Sequence, residues 1–514
     1  MPESVSDNKR IAKNTIYLYI RMFITMAIGL LTSRVVLNAL GVSDYGLYNV
    51  VGGVVSLFMF LRTSLAQGTQ RYLNFSLGTR RIEESQKVFS TSILLYIAFS
   101  AMIVILTEVV GLYLIHYSLT IDEGRMNAAL IVFHLSILGT AIGIVISPFY
   151  GCIIAHEKMS FVAYSSIFDV IIKLLIVYLL LVVDNVDKLI MYSIFYLITG
   201  VLYNTIIYFY CRTHFIECRF SRKYVIPSLR KELLAFSGWS VLGSMANMGA
   251  GQGISIILNV FYNTTINAAR GIAINVSGHI DTFVSNFQLA ANPQIVKLYA
   301  SGDANGMMQL ANNTSKFSAY LYILLAIPIF LEIDYILYIW LGIVPDYTPY
   351  FARVAIIQSL LTCMNSPHNT AVGATGRIKW LNILVGSVLL LILPITYILL
   401  KNHVSLEIVY AVNVIPWFFV GIIRVELLRY YVHINTMEVY RRVYMKVFGI
   451  LLLCYIPIYV LHLQLEYGLS RLIIVVGVSL IWSALMIYWL GLPKHIRRLL
   501  LEKIVAGVRN MSIG

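Results

Sequence analysis

The sequence predicts an all-α protein that crosses a membrane many times. The first observation behind this prediction is composition: 59% of the 514 residues are hydrophobic and only 12% are charged, whereas soluble chains carry about 25% charged residues. The second is the recurrence of apolar runs along the whole chain, each close to the roughly 20 residues that a helix needs to cross a bilayer. The third is the uneven distribution of lysine and arginine between successive connections.

Fourteen transmembrane helices are predicted from hydropathy and from the loop residues between the apolar runs. The predicted spans are 14–40, 46–67, 88–116, 126–150, 161–183, 188–210, 236–262, 266–290, 316–341, 348–372, 378–400, 405–427, 446–465 and 470–492. No connection between them is long enough to form a separate soluble domain.

Basic residues orient these spans. With the N-terminus in the cytoplasm, the inside segments hold 27 of the 38 lysines and arginines, and the outside loops hold only Arg125, Lys188, Lys401 and Arg471. Because cytoplasmic loops are enriched in basic residues, both termini are predicted to be cytoplasmic. The net charge of +14 fits such loops beside a membrane, and no nucleic-acid-binding motif accompanies it.

An internal repeat divides the chain. Leu65 to Gln70 matches Leu289 to Gln294, Ser147-Pro148 matches Ser366-Pro367, and Leu37-Asn38 matches Leu258-Asn259, all at offsets of 219 to 224 residues. This offset equals six spans, so the sequence predicts two pseudo-symmetric six-helix lobes that run parallel, followed by two additional helices. The predicted segments are a cytoplasmic N-terminal segment (1–13), an N-lobe (14–210), a cytoplasmic linker (211–235), a C-lobe (236–427), a cytoplasmic connector (428–445), the last two spans (446–492) and a basic cytoplasmic tail (493–514).

Polar residues follow one face of the first, second, seventh and eighth spans, the two helix pairs that the repeat relates. If these faces meet, they line a central cavity between the lobes; the alternative is that such side chains hydrogen-bond across helix interfaces and only hold helices together. The candidate cavity lining consists of Thr25, Thr63, Gln67, Ser244, Asn247, Ser277 and Gln288.

Arginines interrupt the same helices. Arg21, Arg62 and Arg270 lie inside predicted spans, where a charge costs about 2.5–3.5 kcal/mol even on the most lenient scale. Such residues are usually kept because they face water, a partner charge or a ligand, so we expect these three to face the cavity. Arg34 lies about 220° around the first helix from Arg21, and a structural or gating role near the outer interface is predicted for it.

Other charged and small residues in the spans allow two interpretations each. Asp169 and Lys173, four residues apart, are predicted to pair structurally; an ion or proton relay through Asp169, Asp281 or His279 is the alternative. Glu332 and Asp334 follow Pro328 and mark either a broken helix or an interface. The run Gly249 to Gly253 favours close helix packing, with a hinge as the alternative.

The sequence contains no motif typical of catalysis, nucleotide binding or metal binding. Glycine-rich nucleotide loops, paired carboxylates on an exposed loop and His/Cys clusters with metal-ligand spacing do not occur. The five cysteines show no disulfide framework. We therefore predict that the protein is not an enzyme and has no metal site and no cofactor.

Three short segments show a family resemblance. They are Ser33-Arg34 with Leu40-Gly41 and Asp44-Tyr45-Gly46-Leu47-Tyr48, then Ile336-Leu337 with Trp340-Leu341-Gly342, and finally Ala371, Gly373 and Thr375-Gly376. In these segments and across nearly its whole length, the chain resembles a Wzx-type polysaccharide flippase. This family belongs to the multidrug/oligosaccharidyl-lipid/polysaccharide exporter (MOP) superfamily, which includes the MATE drug exporters and the lipid II flippase.

The resemblance implies a MATE-like fold and a location in the bacterial cytoplasmic membrane. It also implies a function, the movement of undecaprenyl-pyrophosphate-linked oligosaccharides from the cytoplasmic to the outer leaflet by alternating access. Related flippases hold pyrophosphate with arginines on the first, second and eighth helices, which by helix corresponds to Arg21, Arg62 and Arg270. The implied partners are this lipid-linked substrate, membrane lipids, and polysaccharide polymerase or chain-length proteins.

Two other functions are compatible with the hydropathy. A MATE-like cation-coupled exporter would be expected to use carboxylates for its cargo, but the first span contains no acid. A polysaccharide polymerase or ligase would be expected to have a long outer loop, but the predicted outer loops are short.

Overall fold

The computed structural model describes residues 13–29, 31–32, 35–36, 39–40, 44, 47–48, 51, 59–79, 81–117, 121, 123–182, 187–262, 264–341, 344–493 and 497. Helices account for nearly all of these residues, and no strand occurs among them. The predicted all-α class is therefore confirmed.

The helices are numbered in chain order. The first eight are α1 (13–29), α2 (Met59–Gly78), α3 (Ile82–Tyr117), α4 (Met126–Ala155), α5 (Met159–Val182), α6 (Lys188–His214), α7 (Pro227–Phe261) and α8 (Thr264–Ala300). The next ten are α9 (Ala304–Leu331), α10 (Ile333–Leu341), α11 (Thr348–Ala374), α12 (Lys379–Leu390), α13 (Ile392–Lys401), α14 (Leu406–Val412), α15 (Ile415–Val432), α16 (Thr436–Val439), α17 (Lys446–Gln464) and α18 (Leu469–Met486). π-Helical turns occupy Tyr440–Met445 and Ile487–Gly491.

Length and composition identify a multi-pass membrane protein. In the described part of the chain, nine helical segments are long and apolar enough to cross a bilayer. The total of fourteen stays a prediction. Helices α3, α7 and α8 have 36, 35 and 37 residues, or about 55 Å at 1.5 Å per residue, well beyond a hydrocarbon core of about 30 Å. These helices therefore continue past the predicted spans.

Several predicted single spans are interrupted. A bend at Glu332 separates α9 from α10, which agrees with the first of the two interpretations of this acid, a broken helix. Leu391 separates α12 from α13, and residues 413–414 separate α14 from α15. Pro148 in α4 and Pro367 in α11 each lie seven residues before the end of their helix, which agrees with the repeat read from the sequence.

Two compact units divide the chain. The first comprises Met1–Met245, Leu289–Met307 and Gly376–Asn382, and the second comprises Ala246–Gln288, Met308–Thr375 and Ile383–Gly514. The exact limits predicted for the lobes and linkers stay predictions.

Arg125 organises one end of the first unit. Its Nε donates to Asp44 at 2.9 Å and its Nη1 donates to Asp187 at 2.6 Å. Asp187 also caps α6 by accepting from the amides of Leu189 and Ile190 at 3.0 and 3.2 Å. One of the few basic residues predicted outside thus joins Asp44 to the start of α6.

The second unit has one continuous apolar core, which includes side chains of α7, α8, α9, α11 and α17. Close packing is visible at Gly253, where an added Cβ would lie 2.6 Å from Leu393. Leucine therefore occupies the space that any larger residue at position 253 would need. This confirms the close-packing interpretation of the glycine run at that position.

A buried acid connects distant parts of the second unit. The side chain of Glu332 is fully buried, hydrogen-bonds with Nδ1 of His462 on α17 at 2.7 Å, and accepts from Nε of Arg471 on α18 at 3.2 Å. Breaking such a buried pair from one side typically costs about 3–5 kcal/mol, because the remaining charge loses its partner.

Arg471→Met is therefore expected to lower the apparent melting temperature of the purified protein strongly, as followed by intrinsic fluorescence. Arg353→Met is the matched control. Arg353 pairs with Asp334 in the same unit, but both side chains are partly exposed, and exposed pairs contribute about 0–1 kcal/mol. Equal melting temperatures for the two variants would contradict the structural role of Glu332.

Candidate functional site

Arg270 lies on α8, two turns from the helix start, and its guanidinium turns towards α7. Nη1 donates to the Ser255 hydroxyl at 2.5 Å, and Nη2 donates to the Gly251 carbonyl at 2.9 Å. The buried Tyr410 on α14 lies close enough to interact with the same group.

The partners of this arginine among the described residues are neutral groups. Within the described residues, no carboxylate forms an ion pair with Arg270, and its Nε is buried without a hydrogen-bond partner. A guanidinium has five N–H donors and cannot be deprotonated in proteins. Arg270 is therefore a permanent positive charge, inside an apolar helical unit, whose donors are only partly used. Such an environment favours an anionic ligand.

Other predicted site residues of the second unit take different positions. Asp281 accepts a hydrogen bond from Ser359 at 2.8 Å. Gln288 is buried and donates to the Ser318 hydroxyl at 3.0 Å and the Cys363 carbonyl at 2.8 Å. The remaining members are Ser277, buried and bonded to its own helix, and His279 and Asn247, both exposed.

The first unit holds the rest of the predicted set. Arg21 on α1 is half-buried, and Thr25 donates to the Met22 carbonyl of the same helix at 3.1 Å. Ser244 on α7 is also half-buried. Arg34 and the side chains of Arg62, Thr63 and Gln67 lie outside the described residues.

Asp169 and Lys173 form the ion pair that their spacing predicts. Nζ of Lys173 lies 2.7 Å from Oδ2 of Asp169, and the ammonium also lies 4.8 Å from the ring centroid of Tyr196. The aspartate charge is thus balanced within α5. This supports the structural interpretation of Asp169 over a relay.

Arg424 on α15 is a second cation that the sequence reasoning passed over. It is enclosed near His368 and Tyr444, and its Nε is buried without a partner in the described part of the chain. The sequence does contain a signal for this residue, because Arg424 is the only charged residue between Ile415 and Val425 in an otherwise apolar run. The sequence did not reveal that other elements would enclose it.

Glu157 was also missed, although it forms the most enclosed ion pair of the first unit's described residues. It follows α4 with a positive φ of 58°, and its side chain is 1% exposed. Nε2 of Gln294 lies 2.8 Å from both carboxylate oxygens, and Nζ of Lys297 lies 2.6 Å from Oε1. The repeat segment Leu289 to Gln294 therefore contacts the turn between α4 and α5 through Gln294.

A second acid stabilises the same turn. His156 forms a hydrogen bond with Glu217 and stacks on Phe215 at 4.1 Å between ring centroids. Burial raises the pKa of Glu217, but the hydrogen bond with His156 and the local backbone outweigh it, so this pKa lies below its ordinary value. The stabilisation is therefore present above the ordinary pKa and is lost as the pH falls through the lowered pKa.

No group of three or more histidine, cysteine or acidic side chains that could hold a metal ion occurs within the described ranges.

The arrangement of helices is that of the MATE-type transporters. A MATE structure in the bent conformation has a TM-score of 0.69 at 15% identity and covers 85% of this chain and 96% of its own. A MOP superfamily transporter from Pyrococcus furiosus gives 0.67 at 13% identity, with 84% and 96% covered. The MATE transporter ClbM in complex with Rb+ gives 0.67 at 14% identity, with 84% and 97% covered.

The family is defined by sequence. A family model described as "Polysaccharide biosynthesis protein" matches residues 11–299, more than half of the chain. The chain belongs to this family, which confirms the resemblance seen in its short motifs. No curated protein sequence matches the chain.

Exchanging the charges of Glu157 and Lys297 tests their pairing. Glu157→Lys and Lys297→Glu should each lower the apparent melting temperature, because each places two like charges within about 3 Å of one another in a buried turn. The double variant should recover part of the loss, with a coupling of about 0.5–3 kcal/mol expected for residues in contact.

The control is the exposed pair Glu83 and Lys87 on α3, where the same exchange should show almost no coupling. Strictly additive effects at Glu157 and Lys297 would show that the two charges do not interact.

Proposed function

We propose that this protein moves undecaprenyl-pyrophosphate-linked oligosaccharides from the cytoplasmic to the outer leaflet of the bacterial cytoplasmic membrane. The membership in a polysaccharide biosynthesis family supports a saccharide cargo, and the MATE-type fold supports a transporter. The proposal includes cytoplasmic termini, as the basic loops predict, and operation beside polysaccharide polymerase and chain-length proteins.

The observation that carries the proposal is the state of Arg270. It is a half-buried guanidinium whose Nε is buried and unused, and it has no carboxylate partner in the described residues. A pyrophosphate offers several anionic oxygens, and the planar guanidinium fork binds such oxygens bidentately and more strongly than a neutral donor does. A ligand of this kind would offset the cost of keeping the charge inside the membrane.

The charge of the other helices agrees with an anionic cargo. The predicted span of the first helix contains two arginines and no acid, and Asp169 on α5 is balanced by Lys173. One related structure is described by its reversed binding-pocket polarity, which is said to suggest a different function for that transporter. Pocket charge therefore varies within this fold, and we infer the cargo from the charge rather than from the fold.

The membrane potential supplies a driving force in this proposal. Moving one elementary charge across the membrane is worth about 2.3 kcal/mol per 100 mV. With the inside negative, outward movement of an anionic pyrophosphate head is favoured. Coupling to an ion or proton through Asp281 or His279 is the further possibility that the sequence left open. Asp281 is held by Ser359 and has no cationic partner among the described residues.

Arg270→Ala should reduce transport of a lipid-linked oligosaccharide in proteoliposomes, measured by the accessibility of its sugar to an externally added enzyme. The expected loss is about 10- to 150-fold, since a hydrogen bond to a charged group contributes about 1.5–3 kcal/mol. Arg270→Lys should retain part of the activity, because the charge remains while the bidentate fork is lost.

Arg353→Ala provides the control, since that arginine pairs with Asp334 and has no part in the proposed binding. Melting temperatures of all variants would show that they are folded. Wild-type transport rates in Arg21→Ala, Arg62→Ala and Arg270→Ala would refute the arginine hypothesis.

A further inference from the structure

A basic cavity lies at one end of the second unit, away from Arg270 in sequence and on different helices. It is an open cavity of about 680 Å³, within the range of about 300–1,000 Å³ that is typical of small-molecule sites. Four cations and one acid are among its lining residues, which are Lys316, Asn435, Met437, Glu438, Arg441, Arg442 and Lys446.

We propose that this cavity binds the phosphate headgroup of an anionic membrane phospholipid. The proposal is independent of the cargo assigned above. It rests on three observations: the charge balance of the cavity, the geometry that gathers the charges, and the apolar side chains beside it.

The described residues do not balance the charge of the cavity. Glu438, the one acid among the lining residues, pairs with Arg442 at 2.6 Å. Lys446 donates only to the neutral carbonyl of Gly491, at 3.2 Å. Lys316 is half-buried on α9 and lies close enough to Lys446 and Arg442 for their charges to repel its own. Lys316 and Arg441 have no ion pair within the described chain. Like charges brought together in this way are stabilised by an anion.

The π-helical turn at Tyr440–Met445 gathers these charges. In a regular α-helix, at about 100° per residue, Arg441 would lie about 140° around the axis from Lys446. Hydrogen bonds from residue i to i+5 widen the turn and bring residues five apart closer together around the axis; Arg441 and Lys446 are five apart, and both line the cavity. Such turns are rare and are found frequently at functional sites.

Apolar exposure beside the cavity favours a lipid over a soluble phosphate. Met437 lines the cavity and is 70% exposed, and Met445 and Phe448 on the adjoining turns are 68% and 60% exposed. A binding site for a soluble phosphate ion does not require exposed apolar side chains at its edge. A phospholipid places acyl chains directly beside its phosphate, and basic pockets between transmembrane helices are known to accept such headgroups. The basic loops predict that this end of the helices faces the cytoplasm.

Native mass spectrometry of the full-length protein, purified in detergent and titrated with phosphatidylglycerol or phosphatidylethanolamine, tests the proposal. The wild type should retain phosphatidylglycerol preferentially. Lys316→Gln and Arg441→Gln should each reduce this preference about fivefold, which corresponds to about 1 kcal/mol per basic residue near an anionic lipid surface. Arg441→Glu should abolish it; Arg441 is exposed, so folding should not be affected.

Arg429→Gln is the matched control, an exposed arginine at the end of α15 that pairs with Glu426 and does not line the cavity. It should retain phosphatidylglycerol like the wild type. Equal retention of the two lipids by the wild type, or unchanged retention in the Lys316 and Arg441 variants, would overturn the proposal. If inorganic phosphate or glycerol phosphate binds while phosphatidylglycerol is not retained, the site is one for a soluble anion and the lipid assignment is wrong.

Discussion

The structure of this protein depends on how each charged side chain inside an apolar helical unit is compensated. A charge that leaves water must find a partner charge, a set of dipoles or a ligand. Asp169, Glu157 and Glu332 form ion pairs, and these contacts hold turns and helices in place. Arg270 and Arg424 form no ion pair with the described residues and have only neutral groups near them there. The first class explains architecture, and the second contains Arg270, the residue that we propose contacts the cargo.

Much of the fold could be predicted from the sequence because a bilayer restricts the choice of structure. Backbone polar groups must be satisfied within the segment, so long apolar runs become helices. The pairing of Asp169 with Lys173 was predictable for the same local reason, four residues being about one turn. The helix limits were less predictable, since hydropathy marks the portion of a helix in lipid and not the turns that extend into water, as in α3, α7 and α8.

The candidate site was only partly predictable, because its geometry depends on residues far apart in the chain. The sequence indicated Arg270 from its place in an apolar span, but not that Gly251, Ser255 and Tyr410 would surround it. Glu157 gave no signal at all, since a lone acid in a short polar turn is ordinary. Its importance comes from Gln294 and Lys297, about 140 residues later. Likewise, Arg441 and Lys446 line one cavity beside a π-helical turn that helical periodicity does not anticipate.

The contacts of Glu332 have a consequence for biosynthesis. Its partners His462 and Arg471 lie 130 and 139 residues further along the chain. At about 5–20 residues per second, the ribosome needs roughly 7–28 s to add the segment that contains Arg471. During that interval α9 and α10 have been made while the final cation has not. Until Arg471, near the start of α18, has been added, the nascent protein must therefore keep this carboxylate hydrated or held by the insertion machinery.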